Sequence, residues 1–84
     1  MNKTIDLKIL PEHFADIKSG RKKAELRYND RNYTVGDKLI LREWTGNDYT
    51  GRTCSVIITH ILQNCGFGLV DGYAILSIEL CVVG

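Results

Sequence analysis

The 84-residue sequence contains one proline, three cysteines and no long apolar run. The cysteines (Cys54, Cys65 and Cys81) are odd in number and lack C-x-x-C spacing, which disfavours a disulfide framework and predicts reduced thiols. No segment approaches the roughly 20 apolar residues of a membrane-spanning helix, and the first residues lack the apolar stretch of a signal peptide. We therefore expect a cytoplasmic protein with no membrane partner.

Metal ligands are also sparse. His13, His60 and the scattered cysteines lack the spacing of a zinc site. We expect no metal and no cofactor.

Composition is ordinary for a folded domain, with 44% hydrophobic and 25% charged residues. This excludes a disordered tail and a disulfide-dense miniprotein. The length suits one domain over 1–84. The formal net charge of +1 indicates no partner by itself.

Apolar residues alternate with polar ones along much of the chain, as in half-buried strands. Pro11 suits the first turn of a short helix, and Gly20 suits the position after its end. The predicted class is mainly β (α+β), a small barrel of about five strands with one helix after the first strand. The predicted strands are 5–9, 23–28, 38–43, 53–62 and 73–83, and the predicted helix is 11–19.

Charge is concentrated between residues 18 and 31. A local positive field attracts polyanions whatever the total charge, although lysines at a helix end also complement its dipole. In the strand 23–28, alternation predicts Ala24 and Leu26 facing inward and Glu25 outward. The segment holds two acidic and six basic residues, the latter being Lys18, Arg21, Lys22, Lys23, Arg27 and Arg31.

Residues 20–27, GRKKAELR, fit the pattern G-x-K-x-x-E-x-R, which resembles the signature of ASCH domains in the PUA-like superfamily of small β-barrels. Further similar segments run from LKILPEHF (7–14) to GYAILSI (72–78). Together they resemble a compact bacterial and phage family of ASCH-related domains without assigned function. The resemblance implies an RNA-binding or nucleotide-binding module.

The residue chemistry of this motif fits that role. Lysine and arginine side chains hold phosphate, and an outward Glu25 would accept a hydrogen bond from a base. The alternative is a surface ion pair between Glu25 and Arg27. The motif's candidate RNA-binding residues are Lys18, Arg21, Lys22, Lys23, Glu25 and Arg27.

The segment from Trp44 to Arg52 is predicted to be a polar loop. Trp44 and Tyr49 are candidates for stacking on bases, and Arg52 for a phosphate contact. The alternative is that Trp44 caps the open end of the barrel and Tyr49 packs beneath it. Tyr28 and Tyr33 border the basic turn and are further stacking candidates.

An enzymatic reading stands beside the binding one. Some ASCH proteins remove the acetyl group of N4-acetylcytidine, and the resemblance implies Lys22 as the catalytic lysine of such a nucleoside amidohydrolase. Those enzymes carry threonine at the position of Glu25. They also use a distant glutamate, for which Glu79 is the candidate by its outward position. A protein partner is a third possibility.

Overall fold

A computed structural model describes residues 2–63 and 68–81. This part of the chain forms one helix and five strands in a mainly β architecture. The elements are β1 (Thr4–Ile9), α1 (Pro11–Lys18), β2 (Ala24–Tyr28), β3 (Lys38–Trp44), β4 (Tyr49–Gln63) and β5 (Tyr73–Leu80).

Helix α1 follows β1 directly because Pro11, which has no N–H to leave unpaired, occupies its first turn. Phe14 and Ile17, three residues apart on one face, are buried against the sheet. Gly20 lies just beyond the helix with a φ of +85°, which most side chains disfavour. Within residues 2–63 and 68–81, no helix is long and apolar enough to cross a membrane.

The five strands form one sheet in the order β1-β3-β4-β5-β2, curled into a half-barrel. Strands β1 and β3 pair in parallel, and the other neighbours are antiparallel. Strands β1 and β2 are therefore the two edges, although only α1 and a short loop separate them in sequence.

The core fills the inner face of this curled sheet and is covered by α1. Alternate residues of each central strand point into it, as the period-2 pattern predicts. The buried hydrophobic side chains are Ile5, Leu7, Ile9, Phe14, Ile17, Tyr33, Leu39, Leu41, Val56, Ile58, Ala74, Leu76 and Ile78.

Asp37, at the start of β3, anchors the N-terminal segment. Its fully buried carboxylate accepts hydrogen bonds from the Lys3 backbone N–H (3.0 Å) and the Lys3 ammonium (2.7 Å). It also accepts from the backbone N–H and the hydroxyl of Thr34, each at 2.9 Å. Burial alone would raise the pKa of Asp37, but the hydrogen bonds from Lys3 and Thr34 outweigh it and hold the pKa well below its usual range.

The predicted fold class is confirmed, but the predicted polar loop from Trp44 to Arg52 was wrong. Strand β3 ends at Trp44 and β4 begins at Tyr49, so Trp44, Tyr49 and Arg52 all lie in strands. Tyr33 is buried and cannot stack on a ligand. Predictions involving Cys65 and the end of the last strand at 82–83 lie outside the described residues.

Candidate nucleic-acid interface

Glu25 is the centre of an ion-pair cluster formed by the G-x-K-x-x-E-x-R segment. Its Oε2 accepts a hydrogen bond from Arg27 Nε at 2.9 Å and lies 2.8 Å from Arg27 Nη2. Its Oε1 lies 3.4 Å from the ammonium of Lys22. Both carboxylate oxygens are thus engaged by cations of the same motif.

The predicted facing of β2 was wrong. Glu25 is only 7% exposed and points inward, whereas Leu26 is 57% exposed on the outer face. Lys22 and Arg27 compensate the charge of the buried carboxylate, so burial of Glu25 is tolerated. Glu25 therefore does not present an exposed carboxylate to a base.

The basic groove is a depression of about 430 Å³ across the β1 edge of the sheet. Lys8 and Arg42 are cross-strand neighbours in the parallel β1–β3 pair. Arg27 reaches the groove from β2, and its Nη2 donates a hydrogen bond of 2.7 Å to the Lys8 carbonyl oxygen. The lining residues are Asp6, Leu7, Lys8, Arg27, Arg31, Arg42 and Tyr49.

The groove carries an excess of positive charge. Of its charged lining residues, four are basic and only Asp6 is acidic. Arg42 lies 3.2 Å from the Asp6 carboxylate, and its side chain remains about half exposed. Arg31, also about half exposed, lies 3.8 Å from Asp30. Exposed ion pairs of this kind are weak, so both guanidinium groups are available to an anionic ligand.

The ring of Tyr49 lines this groove, and Trp44 lies beside Tyr49 on the neighbouring strand. Trp44 and Tyr49 are paired across the β3–β4 hairpin. Trp44 is partly buried, and Tyr49 is exposed rather than packed beneath it. The ammonium of Lys8 lies 4.6 Å from the centre of the Trp44 ring and 5.9 Å from that of Tyr49.

Arg52 is committed to an internal partner. Its Nε and Nη2 donate to the two carboxylate oxygens of buried Glu43 at 2.8 and 2.7 Å, and Thr50 donates to the same carboxylate at 2.7 Å. The hydrogen bonds from Arg52 and then Thr50 lower the pKa of Glu43, and the hydrogen bond to Glu43 raises the pKa of Arg52. The guanidinium donors of Arg52 that would contact a phosphate are thus already bound to a carboxylate. The guanidinium carbon also lies 5.1 Å from the centre of the Phe14 ring.

The other motif cations are distributed over separate surfaces. Lys18 lies beside Phe14, with its ammonium 5.7 Å from the ring centre. Arg21 lines a shallow depression with His13 and Asp16. Lys22 and Lys23 line a larger cleft of about 570 Å³ between the end of α1 and β5, together with Glu79. The structure therefore brings Arg27 and Tyr49 into one groove and leaves Lys18, Arg21, Lys22 and Lys23 outside its lining.

The sequence did not predict Lys8 and Arg42 as site residues. It indicated Arg31 only as one of the basic residues between 18 and 31. Alternation placed Lys8 on the polar face of its strand, and the structure shows Arg42 at an exposed position of β3. Their proximity depends on the parallel pairing of β1 with β3, which local sequence does not reveal. In the described part of the chain, no group of three or more His, Cys, Asp or Glu side chains is arranged to hold a metal ion.

Comparison with known proteins shows which family the chain belongs to. The model of the "Domain of unknown function (DUF3850)" matches residues 4–78. The chain belongs to this family. A protein of Escherichia phage P2, the "Uncharacterized 12.9 kDa protein in GpA 3'region", is 41% identical to this chain over 61 residues. The match covers 73% of this chain and 56% of that relative, so the chain spans little more than half the length of the phage protein.

Proposed function

We propose that this DUF3850 domain binds RNA through the basic groove. The observation that carries the proposal is the convergence of Lys8, Arg31 and Arg42 beside exposed Tyr49 in one depression. Arginine presents a planar fork of donors that matches phosphate oxygens, and lysine adds a mobile point charge. Electrostatic contacts to the backbone supply most of the affinity of a small nucleic-acid-binding domain.

Kinship with ASCH domains of the PUA-like superfamily is part of this proposal. It is supported by the ordered motifs from residue 7 to residue 78, and by the curled sheet with one helix after the first strand. Such kinship favours RNA over DNA as the target. Fold likeness alone does not assign a function, so the groove residues carry the argument.

The test compares two exposed cations of the same strand. Arg42 lines the groove near one end of β3, and Lys38 lies at the other end on the same face. Binding of a labelled single-stranded 12-nucleotide RNA is measured by fluorescence anisotropy. Arg42→Glu should weaken binding roughly tenfold or more, because it replaces a charge-assisted contact with a repulsive one. Lys38→Glu, with the same change in net charge, should leave affinity nearly unchanged.

Salt dependence provides the second readout. The logarithm of the binding constant should fall linearly with that of salt concentration, by roughly 0.7 per neutralised phosphate. Arg42→Glu should reduce this slope by about one phosphate. Equal affinities of Arg42→Glu, Lys38→Glu and the unaltered protein would refute the groove as the binding surface.

A nucleoside amidohydrolase is the second candidate function. It is favoured by one observation: Lys22 and Glu79 line the same cleft of about 570 Å³, which is within the size range of small-molecule sites. The buried carboxylate of Glu25 lies 3.4 Å from the Lys22 ammonium. Incubation with N4-acetylcytidine would then yield cytidine and acetate, separable by chromatography, and Lys22→Met would abolish turnover. Absence of product with the unaltered protein would exclude this activity on that substrate.

A further inference from the structure

The Lys8 side chain contacts the two aromatic rings beside the groove. Its ammonium is within cation–π range of both Trp44 and Tyr49, and is closer to Trp44 at 4.6 Å. Tyr49 lines the basic groove together with Lys8, and Trp44 is the neighbour of Tyr49 across the β3–β4 hairpin. A cation of the groove therefore lies against both rings of this pair.

The energies favour exchange of this contact. An exposed cation–π contact is among the weaker interactions of a folded protein, whereas stacking of one nucleic-acid base on an aromatic side chain is generally stronger. A base that stacks on Tyr49 would displace the Lys8 ammonium. The four-carbon side chain of lysine is flexible, so the ammonium can move aside. The released ammonium remains beside Arg42, where a phosphate group would lie.

We propose that the groove selects single-stranded nucleic acid by exchanging the Lys8 ammonium on the Trp44–Tyr49 rings for one unpaired base. Lys8 then pairs with the adjoining phosphate. This inference rests on the proposed function and specifies its ligand. A base within a duplex has both faces stacked and cannot occupy the rings, so duplex RNA gains only the phosphate contacts.

Trp44 is the single tryptophan of the sequence, so intrinsic fluorescence reports on this exchange directly. Three probes of equal length separate the contributions: a 12-nucleotide oligouridylate, the corresponding abasic oligomer and a 12-base-pair RNA duplex. The oligouridylate should change the Trp44 emission on binding. The abasic oligomer should bind roughly 5- to 100-fold more weakly, and it should leave the emission nearly unchanged.

Matched tyrosine variants test the rings. Tyr49→Ala should lower oligouridylate affinity by a similar factor and barely affect the abasic oligomer. Tyr49→Phe, which keeps the ring, should behave as the unaltered protein and also controls for folding of the hairpin. Tyr73→Ala removes another exposed tyrosine, on β5 and outside the groove lining, and should not affect binding.

Lys8→Met distinguishes exchange from simple charge attraction. It should reduce the salt slope by about one phosphate while retaining the preference for oligouridylate over the abasic oligomer, because the rings are then uncovered. The inference would be overturned if the abasic oligomer or the duplex bound as tightly as the oligouridylate. The groove proposal would still stand in that case, provided that Arg42→Glu lost affinity. If no probe binds to the unaltered protein, the RNA-binding proposal fails and the inference fails with it.

Discussion

The guanidinium of Arg27 donates a hydrogen bond of 2.7 Å to the backbone carbonyl oxygen of Lys8. Arg27 belongs to β2 and Lys8 to β1, which are the two edge strands of the sheet. Because Arg27 also contacts the buried Glu25 carboxylate, one side chain links an edge carbonyl to the interior of the half-barrel. The two edge strands are therefore joined through the Arg27 side chain.

Replacing Arg27 by methionine should destabilise the protein. Met retains an apolar stem but leaves Glu25 with only the more distant Lys22 as its charged partner among the described contacts. The free energy of unfolding should fall by about 2 to 3 kcal/mol, measured by urea denaturation. Arg42→Met removes a groove cation with an exposed partner and should change stability by less than about 1 kcal/mol. Equal losses of unfolding free energy in Arg27→Met and Arg42→Met would contradict the stabilising role of Arg27 between the edge strands.

Asp37 should be the more sensitive of two acidic positions. Asp37→Ala removes the acceptor of the Lys3 and Thr34 hydrogen bonds and leaves their part-buried backbone N–H donors without this partner. The expected loss is about 3 kcal/mol in the free energy of unfolding. Asp30→Ala, at an exposed turn, is the control and should cost no more than about 0.5 kcal/mol. A small effect of Asp37→Ala would mean that the N-terminal segment is held by other contacts.

Stability should fall on acidification. The pKa values of Asp37 and Glu43 are lowered in the folded protein, so the unfolded chain binds protons before the folded one does. Their stabilising contribution is complete above the unfolded carboxyl pKa values of about 4 and is lost as pH falls through the lower folded values. Thermal melting between roughly pH 6 and pH 2 should show this decline, and the decline should be shallower in Asp37→Asn. Identical slopes would argue against Asp37 as a source of it.

Gly72 should tolerate alanine less well than Gly51. Both have a φ near +90°, so alanine should cost about 1 to 2 kcal/mol of backbone strain at either position. At Gly72 a Cβ would also lie 2.6 Å from Cε1 of Tyr28, whereas nothing lies within 4 Å at Gly51. Thermal denaturation of Gly72→Ala should thus show the larger loss. The difference should disappear in a Tyr28→Ala background, and its persistence would contradict the steric explanation.

The fold was largely predictable because its signals are local. Ile5, Leu7 and Ile9 alternate with polar residues in β1, and Pro11 and Gly20 mark the approximate ends of α1. The extent of β4 was not predictable in the same way. Tyr49 to Arg52 is polar and contains Gly51, a composition typical of a loop, yet Arg52 is held in the strand by its pairing with Glu43.

The candidate site was predictable only in part. Hydrophobicity assigns Leu26 to the inside and Glu25 to the outside of β2, but the structure reverses both. The charges of Lys22 and Arg27 make the reversal possible, and this depends on tertiary contacts. The basic groove likewise requires knowledge of which strands are neighbours, since Lys8 and Arg42 are distant in sequence.

The strand order also has a consequence for the folding pathway. Strands β3, β4 and β5 are joined as successive antiparallel neighbours, so their contacts close comparatively short loops. The edge strands require more distant partners, and Leu26 pairs with Ile75 near the other end of the chain. Because loop-closure entropy slows non-local pairing, we expect the central meander to form first and the edges to join it late. Hydrogen exchange should then protect the amides of β3 to β5 earlier during refolding than those of β2, and the basic groove would be completed only in the last step.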